Sequence, residues 1–585
     1  MIFFDRRERF RQCVAFVGLL VWVWLGVGIG QPAAADPVLQ TARIKAVIQE
    51  KLGMARPPDA LWLGCERIHA SQDLIDFYAE RDFSPVWVNA QGIRPQGRTL
   101  PHILQTTQDH GLNPEAYHLS CIRGLLEVFD KFRHWEQVGP VSDPELPAQL
   151  DILLTDGFLV SLSHLAAGSV SPKTLYPQWL APKQKADILA GLTGFDSGRD
   201  LQDIYTAFSP SCPQYRELVR AGIRLRRIVE QGGWPRIEPG PLLRCGDQDI
   251  RVFLLRQRLD QTHGRPAAVG ALSLYFDQGL EAKVKQFQSR HGLKVDGIIG
   301  DQTRQALNVS AHERRRTVLV NLERLRWLAC DPPDRSIRVN IADFSLQGYE
   351  EHQRRLRLKA IVGKEYTKTP VFRKQLQYIV LNPYWNVPRS IAVKEILPKV
   401  KNDAEYLEQE HIQVLSGWDN PSLLEPETID WSRVDAETFS WRFRQQPGPW
   451  NSLGRIKFIF PNPFHVYIHD TPNKGLFKRQ ERAFSHGCIR VQHPVRLADF
   501  VLQDDPQWTV ERILEIFEAR KRKVIVPSTS CLVDLTYRTA WVDETGDLQF
   551  RNDVYNRDQS LWKALHLQPE PRKHTPPLVT EPQDD

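Results

Sequence analysis

The sequence predicts a multidomain α+β protein: a helical scaffold, then a compact three-helix unit, then a mainly β domain carrying an insertion. Three observations carry that reading. The chain has 585 residues, far more than the roughly 150 of one ordinary domain. Apolar residues recur at helical spacing in the first part and alternate with polar ones in the last. Hydrophobic residues make up 42% and charged residues 25%, the balance of a folded chain, which excludes a disordered, collagen-like or polytopic membrane protein. The formal charge of +6 is too weak to argue for nucleic acid as a partner.

Arg6, Arg7, Arg9 and Arg11 precede an apolar run from Cys13 to Gly30, and Ala33-Ala34-Ala35 supplies the small residues of a cleavage site. Residues 1–35 therefore read as a Sec export signal cut before Asp36. The run is also long enough to span a bilayer, so an uncleaved inner-membrane anchor is the alternative. Export lets disulfides persist. Without Cys13 the cysteines are Cys65, Cys121, Cys212, Cys245, Cys330, Cys488 and Cys531, an odd set, and an odd cysteine is either a working thiol or a buried structural one. With Cys488 as the working thiol, the even remainder can pair without leaving another exposed thiol.

Residues 36–235 read as a helical scaffold, with Leu150, Leu153, Leu154, Phe158 and Leu159 at three- and four-residue spacing and Leu218, Ala221, Leu225 and Ile228 forming a second stripe. No cluster there suggests chemistry, and Trp62, Trp87, Trp135 and Trp179 are expected in the core. Residues 240–310 form the three-helix unit. Val252, Leu255 and Leu259 mark one helix; Val284 and Phe287 mark a second that stops at Gly292, and Asp301 is the expected N-cap of a third. A basic helix from Arg314 to Leu328 leads into the β domain, residues 314–565. There Ile337, Val339 and Ile341 alternate, and Tyr378 to Leu381 and Ile456 to Phe460 are strand-like. Strand patterning stops in an insertion at about residues 388–443, read as a helical or irregular lid or as surface decoration. Residues 568–585 are Pro-rich and charged, a disordered tail.

Chemistry concentrates in two segments, FHVYIHDTP from Phe464 to Pro472 and SHGCIR from Ser485 to Arg490. On a strand His465, Tyr467 and His469 would share a face, and Gly487 would place Cys488 on a tight turn. A thiol nucleophile needs a base, a group that orients the base, and N–H donors for an oxyanion. The competing readings are a zinc site drawn from His465, His469, His486, Cys488 and His493, which lacks a familiar ligand spacing, and structural, inert histidines.

The string AKVKQFQSRHGLKVDGIIGDQTRQALN, Ala282 to Asn308, resembles the small peptidoglycan-binding domain of cell-wall enzymes, and the SHGC segment with its upstream His resembles the active site of L,D-transpeptidases, the YkuD-type fold. NLERLRWL, VGKEYTKTPVF, LNPYWNVP and RQQPGPWNSLGRIKFIFPN extend the likeness to the large, scaffold-bearing periplasmic members. The resemblance implies that Cys488 attacks the diaminopimelate–D-Ala bond of a tetrapeptide stem, forms a thioester and passes the acyl group to a second diaminopimelate amine. It implies His469 as base, His486, Gly487 and Cys488 around the oxyanion hole, and Tyr467, Trp385 and Arg490 along the stem-peptide site. It implies neither metal nor cofactor. The partners it implies are peptidoglycan stems and glycan, with other wall-synthesis proteins as candidates, in the periplasm.

Overall fold

The computed structural model describes residues 37–53, 61–64, 66–89, 91–135, 143–176, 187–196, 198–262, 273–327, 334–403, 405–417 and 420–566. The export signal and the C-terminal tail expected from the sequence lie outside the described residues.

The helical scaffold is organised by the helix Glu145–Ala167, which is long and apolar enough to cross a membrane yet has 83% of its apolar window buried in protein. Asp151, Thr155, Asp156 and Ser161 on it are buried too, and the two aspartates hold neighbouring loops. Asp151 accepts the N–H groups of Val86, Trp87 and Val88 and the hydroxyl of Tyr78. Asp156 accepts the N–H groups of His69 and Ala70 and pairs with His118, whose other ring nitrogen meets Glu66 at 2.7 Å. Buried carboxylates are tolerated only when satisfied in this way. Trp87 is buried as expected, but Trp62 is 48% exposed, because in the two-residue strand Trp62–Leu63 it is Leu63 that faces the core. The side chains of Trp135 and Trp179 lie outside the described residues.

In the next unit the helices Ile250–Thr262, Gln278–Arg290 and Asp301–Asn308 close on Val252, Leu255, Leu259, Val284, Phe287 and Leu307. The N-cap of the third helix is Gly300, not Asp301; Asp301 is the first helical residue, where its charge suits the helix dipole. Gln288 explains much of the sequence pattern. Its side chain accepts the N–H groups of Asp296 and Gly297 and donates to Asp296, the Ile298 carbonyl and Thr303, so the FQ, DG and Thr positions belong to one network.

The helix Ala311–Trp327 ties the parts together. Val318, Leu319 and Leu322 pack with Leu218 and Leu225 of the scaffold helix Pro213–Glu230 and with Ala540, Val542 and Phe550 of the β domain. On the same helix Arg324 pairs with Asp558 at 2.6 Å, and Asn321 donates to Thr539.

The β domain is an 11-stranded sheet. One edge runs Lys523–Ile525, Tyr378–Leu381, Ile456–Ile459, Ile468–His469 and Ile489–Val491; the other runs Ser345–Glu350, Arg335–Asn340, Leu532–Thr536 and Phe372–Gln375. The 11-residue strand Gln353–Gly363 belongs to both halves. Because Ile337, Val339 and Leu346 of one half share a core with Ile379, Phe458, Ile468 and Ile489 of the other, the sheet folds over on itself. The polar residues that alternate with Ile337 and Val339 are buried as well: Arg338 pairs with the fully buried Asp534, and Arg335 with Glu350. Burial of both faces therefore replaces the half-exposed strand that alternation suggests.

The insertion is not strand-poor. Trp385–Asn386, Arg442–Gln445, Ile412–Leu415 and Leu423–Leu424 form a four-stranded sheet, backed by short helices over a separate core of Ile396, Leu397, Val400, Val414, Phe439 and Phe443. Strands of two to four residues are too short to show a period in sequence.

Candidate active site

Cys488 occupies the turn between the strands Ala483–Ser485 and Ile489–Val491, and its thiol is free. Gly487 has φ +113, where a side chain would be strained, so glycine is required at that position. The turn is pinned from inside and from behind. Ser485 Oγ donates to the Cys488 carbonyl at 2.6 Å and accepts the Gly487 N–H at 3.1 Å. The Ser485 carbonyl accepts from the Lys364 N–H and the Thr367 hydroxyl. Thr369, fully buried, donates to the Gly487 carbonyl at 2.8 Å and accepts the Gly363 N–H at 2.9 Å. The VGKEYTKTP segment is thus the wall behind the nucleophile.

Register builds the rest. The strand Ile468–His469 runs parallel to Ile489–Val491 with His469 opposite Arg490, and antiparallel to Ile456–Ile459 with Lys457 opposite His469. Directly opposed residues share a face. Lys457, His469 and Arg490 therefore form a row on one face, while Phe458, Ile468 and Ile489 enter the core from the other. Tyr467 joins the row, its ring meeting His469 edge-on at 5.6 Å. His465 does not join it through its side chain. Asn462 closes a turn by accepting the N–H groups of Phe464 and Val466, which leaves His465 exposed at φ +52 with its carbonyl 3.8 Å from the Cys488 sulfur.

The electrostatics set the resting state. Burial pushes the Cys488 thiol up, opposed by the N–H and hydroxyl of Tyr467 and by the charges of Lys457 and Arg490. His469 is buried, and burial together with Arg490 and Lys457 lowers its pKa to about 3, against the pull of the Asp470 and Leu453 carbonyls. Its Nδ1 has no hydrogen-bond partner among the described residues. Burial likewise lowers Lys457, whose ammonium lies 3.6 Å from the Tyr467 ring centroid. The resting state combines a neutral thiol with a neutral imidazole on the adjoining strand, and the donors around the sulfur favour a thiolate once it forms.

The remaining candidates separate. His486 is exposed and its Nε2 lies 2.7 Å from Glu395 of the insertion. The Gly487 N–H, assigned to the oxyanion hole by resemblance, is already held by Ser485; glycine serves here through its backbone angle. Trp385 packs on the insertion core and pairs with Gln445 at the base of the insertion. Arg490 keeps a buried Nε with no hydrogen-bond partner among the described residues. Among the described residues no three His, Cys, Asp or Glu side chains converge to hold a metal, so a zinc site has no donor set there. Cys212 is disulfide-bonded while Cys245 and Cys531 keep free thiols, so of the cysteines other than Cys488 some pair and some do not. Thr369, Lys457 and Glu395 escaped the sequence reading; a Lys inside the apolar run Ile456–Ile459 was the available signal.

Residues 334–526 match the family model of the L,D-transpeptidase catalytic domain, residues 251–307 that of a "Putative peptidoglycan binding domain", and residues 72–221 that of a scaffold domain. The chain is 35% identical over 244 residues to a "Putative L,D-transpeptidase" of Haemophilus influenzae, covering 41% of this chain and 48% of that protein. It is 37% identical over 89 residues to an N-acetylmuramoyl-L-alanine amidase of Mycobacterium tuberculosis, covering 13% of this chain and 21% of that one. The chain thus spans about half the length of the first relative and a fifth of the second. The solved L,D-transpeptidase of Xylanimonas cellulosilytica aligns with 51% of this chain and 100% of its own at 13% identity and a TM-score of 0.16.

Proposed function

We propose that this chain is a periplasmic L,D-transpeptidase that uses Cys488 to cut the diaminopimelate–D-Ala bond of peptidoglycan tetrapeptide stems and to make diaminopimelate–diaminopimelate cross-links. The observation that carries the reading is the Cys488 turn, with Tyr467 at the sulfur and the neutral His469 held by register in the adjoining strand.

In the first half-reaction His469 takes the thiol proton and sulfur adds to the diaminopimelate carbonyl. With the Gly487 N–H engaged, the Cys488 N–H is the oxyanion donor we assign. The C–N bond breaks, D-Ala leaves with the proton from His469, and a thioester remains. In the second, the acceptor amine adds to the thioester carbonyl, its proton passes through His469 to the departing thiolate, and an amide forms. Water in place of the amine gives stem trimming. The three-helix unit would hold the enzyme on the wall, and its contacts through Arg290 with Asp547 and Arg551 keep it against the catalytic domain.

A carbapenem tests the reading, because its strained amide is an acyl donor for an activated thiolate. Mass analysis should find one added inhibitor mass on the peptide holding Ser485 to Arg490, lost in Cys488→Ala and indifferent to chelator. His469→Ala should slow acylation by at least about a hundredfold. An unmodified wild-type protein that loses its activity on chelation would refute the proposal.

A further inference from the structure

Glu395 stands in a five-residue π-helical turn, Ala392–Ile396, between the helices Arg389–Ile391 and Leu397–Asn402 of the insertion. A π turn adds a residue to the helical circuit and re-aims the side chains on it, a device that concentrates at functional sites. Here Ala392, Ile396, Leu397 and Val400 enter the insertion core, while Glu395 leaves it, half exposed, to reach His486 two positions before the nucleophile. Its charge also acts on Arg490. Asp470, the carboxylate next to His469 in the chain, is held by the Arg455 N–H and by Lys474. Among the described residues Glu395 has only the exposed His486 to give up.

The two half-reactions ask for opposite charges. A donor stem ends in a carboxylate, and Lys457 and Arg490 offer cations to it. The acceptor arrives as an ammonium, which those cations repel. From this juxtaposition, and resting on the function proposed above, we infer that Glu395 is the specificity-determining residue of the acceptor half-reaction, exchanging His486 for the ammonium of the incoming amine. One ammonium proton is lost to solvent. The nitrogen then forms the C–N bond as the C–S bond breaks, and its second proton goes by way of His469 to the Cys488 thiolate. Because Glu395 belongs to the insertion, the same exchange couples acceptor docking to the position of the insertion over the thioester.

The test partitions one acyl-enzyme between two nucleophiles. The full chain is acylated with purified tetrapeptide muropeptide at about pH 7.5 and given diaminopimelate, whose amine is an ammonium, together with hydroxylamine, which is neutral. The ratio of amide to hydroxamate should fall about tenfold in Glu395→Gln, the loss expected for one charged hydrogen bond. Glu395→Asp, which keeps the charge, should restore the ratio to within about threefold. An unchanged ratio in Glu395→Gln, or an equal fall in both variants, overturns the inference. If wild-type protein yields neither product, no acyl-enzyme forms, and it is the functional reading that falls, taking this one with it.

Discussion

Replacing Thr369 by valine preserves shape and removes one oxygen. That oxygen donates to the Gly487 carbonyl and accepts the Gly363 N–H, at 2.8 and 2.9 Å, in a site with no solvent exposure. Both backbone groups are buried, and the valine methyl fills the space that water would need, so each is left unpaired. An unpaired buried group costs about 1–3 kcal/mol, so Thr369→Val should destabilise the catalytic domain by roughly 2–6 kcal/mol. Part of that strain falls on the Gly487 carbonyl, one residue before the nucleophile. Carbapenem acylation of Cys488, followed by mass analysis beside a urea titration, should therefore slow by about tenfold or more, the equivalent of about 1.4 kcal/mol. Thr369→Ser keeps the hydroxyl and loses one methyl, for about 1 kcal/mol. A valine variant that melts and acylates like wild type, or a serine variant that fails equally, would show that packing rather than the hydroxyl holds the turn.

Tyr467→Phe removes a hydroxyl that stabilises the thiolate, so the iodoacetamide profile of Cys488 should move to higher pH, above the already raised wild-type position; a shift to lower pH would refute the assignment. In the scaffold, burial works against charge on His118, but the hydrogen bonds to Asp156 and Glu66 outweigh it and raise its pKa to about 9. A raised histidine contributes stability that is full below about pH 6.5 and is lost as pH climbs through about 9, here about 3 kcal/mol. Thermal unfolding should show that loss in wild type and not in His118→Gln. Replacing residues 388–441 by a short linker removes most of a body whose core shares no residue with that of the main sheet, so the sheet should survive while thioester hydrolysis rises relative to transfer. An unchanged ratio would make the insertion decoration.

Sequence alone determined what depends on neighbours along the chain. The helices of the three-helix unit are capped and turned by residues within a few positions, and the Gln288 network lies inside one short segment. The Cys488 turn was legible because Ser485, Gly487 and Cys488 bond to each other. His469 was legible by its place in a short alternating run, although the turn closed by Asn462 cut that run back and turned His465 away. Tertiary structure decided everything that rests on pairing between distant strands. Lys457 and Arg490 flank His469 only because register puts them there, and Thr369 reaches Gly487 across a separation of 118 residues. Glu395 reaches His486 only because a separately folded insertion is carried back over the site. Local hydrogen bonds and caps leave a mark in residue order; burial, register and opposed charge are created by folding, since each depends on which remote side chains exclude water from the same place.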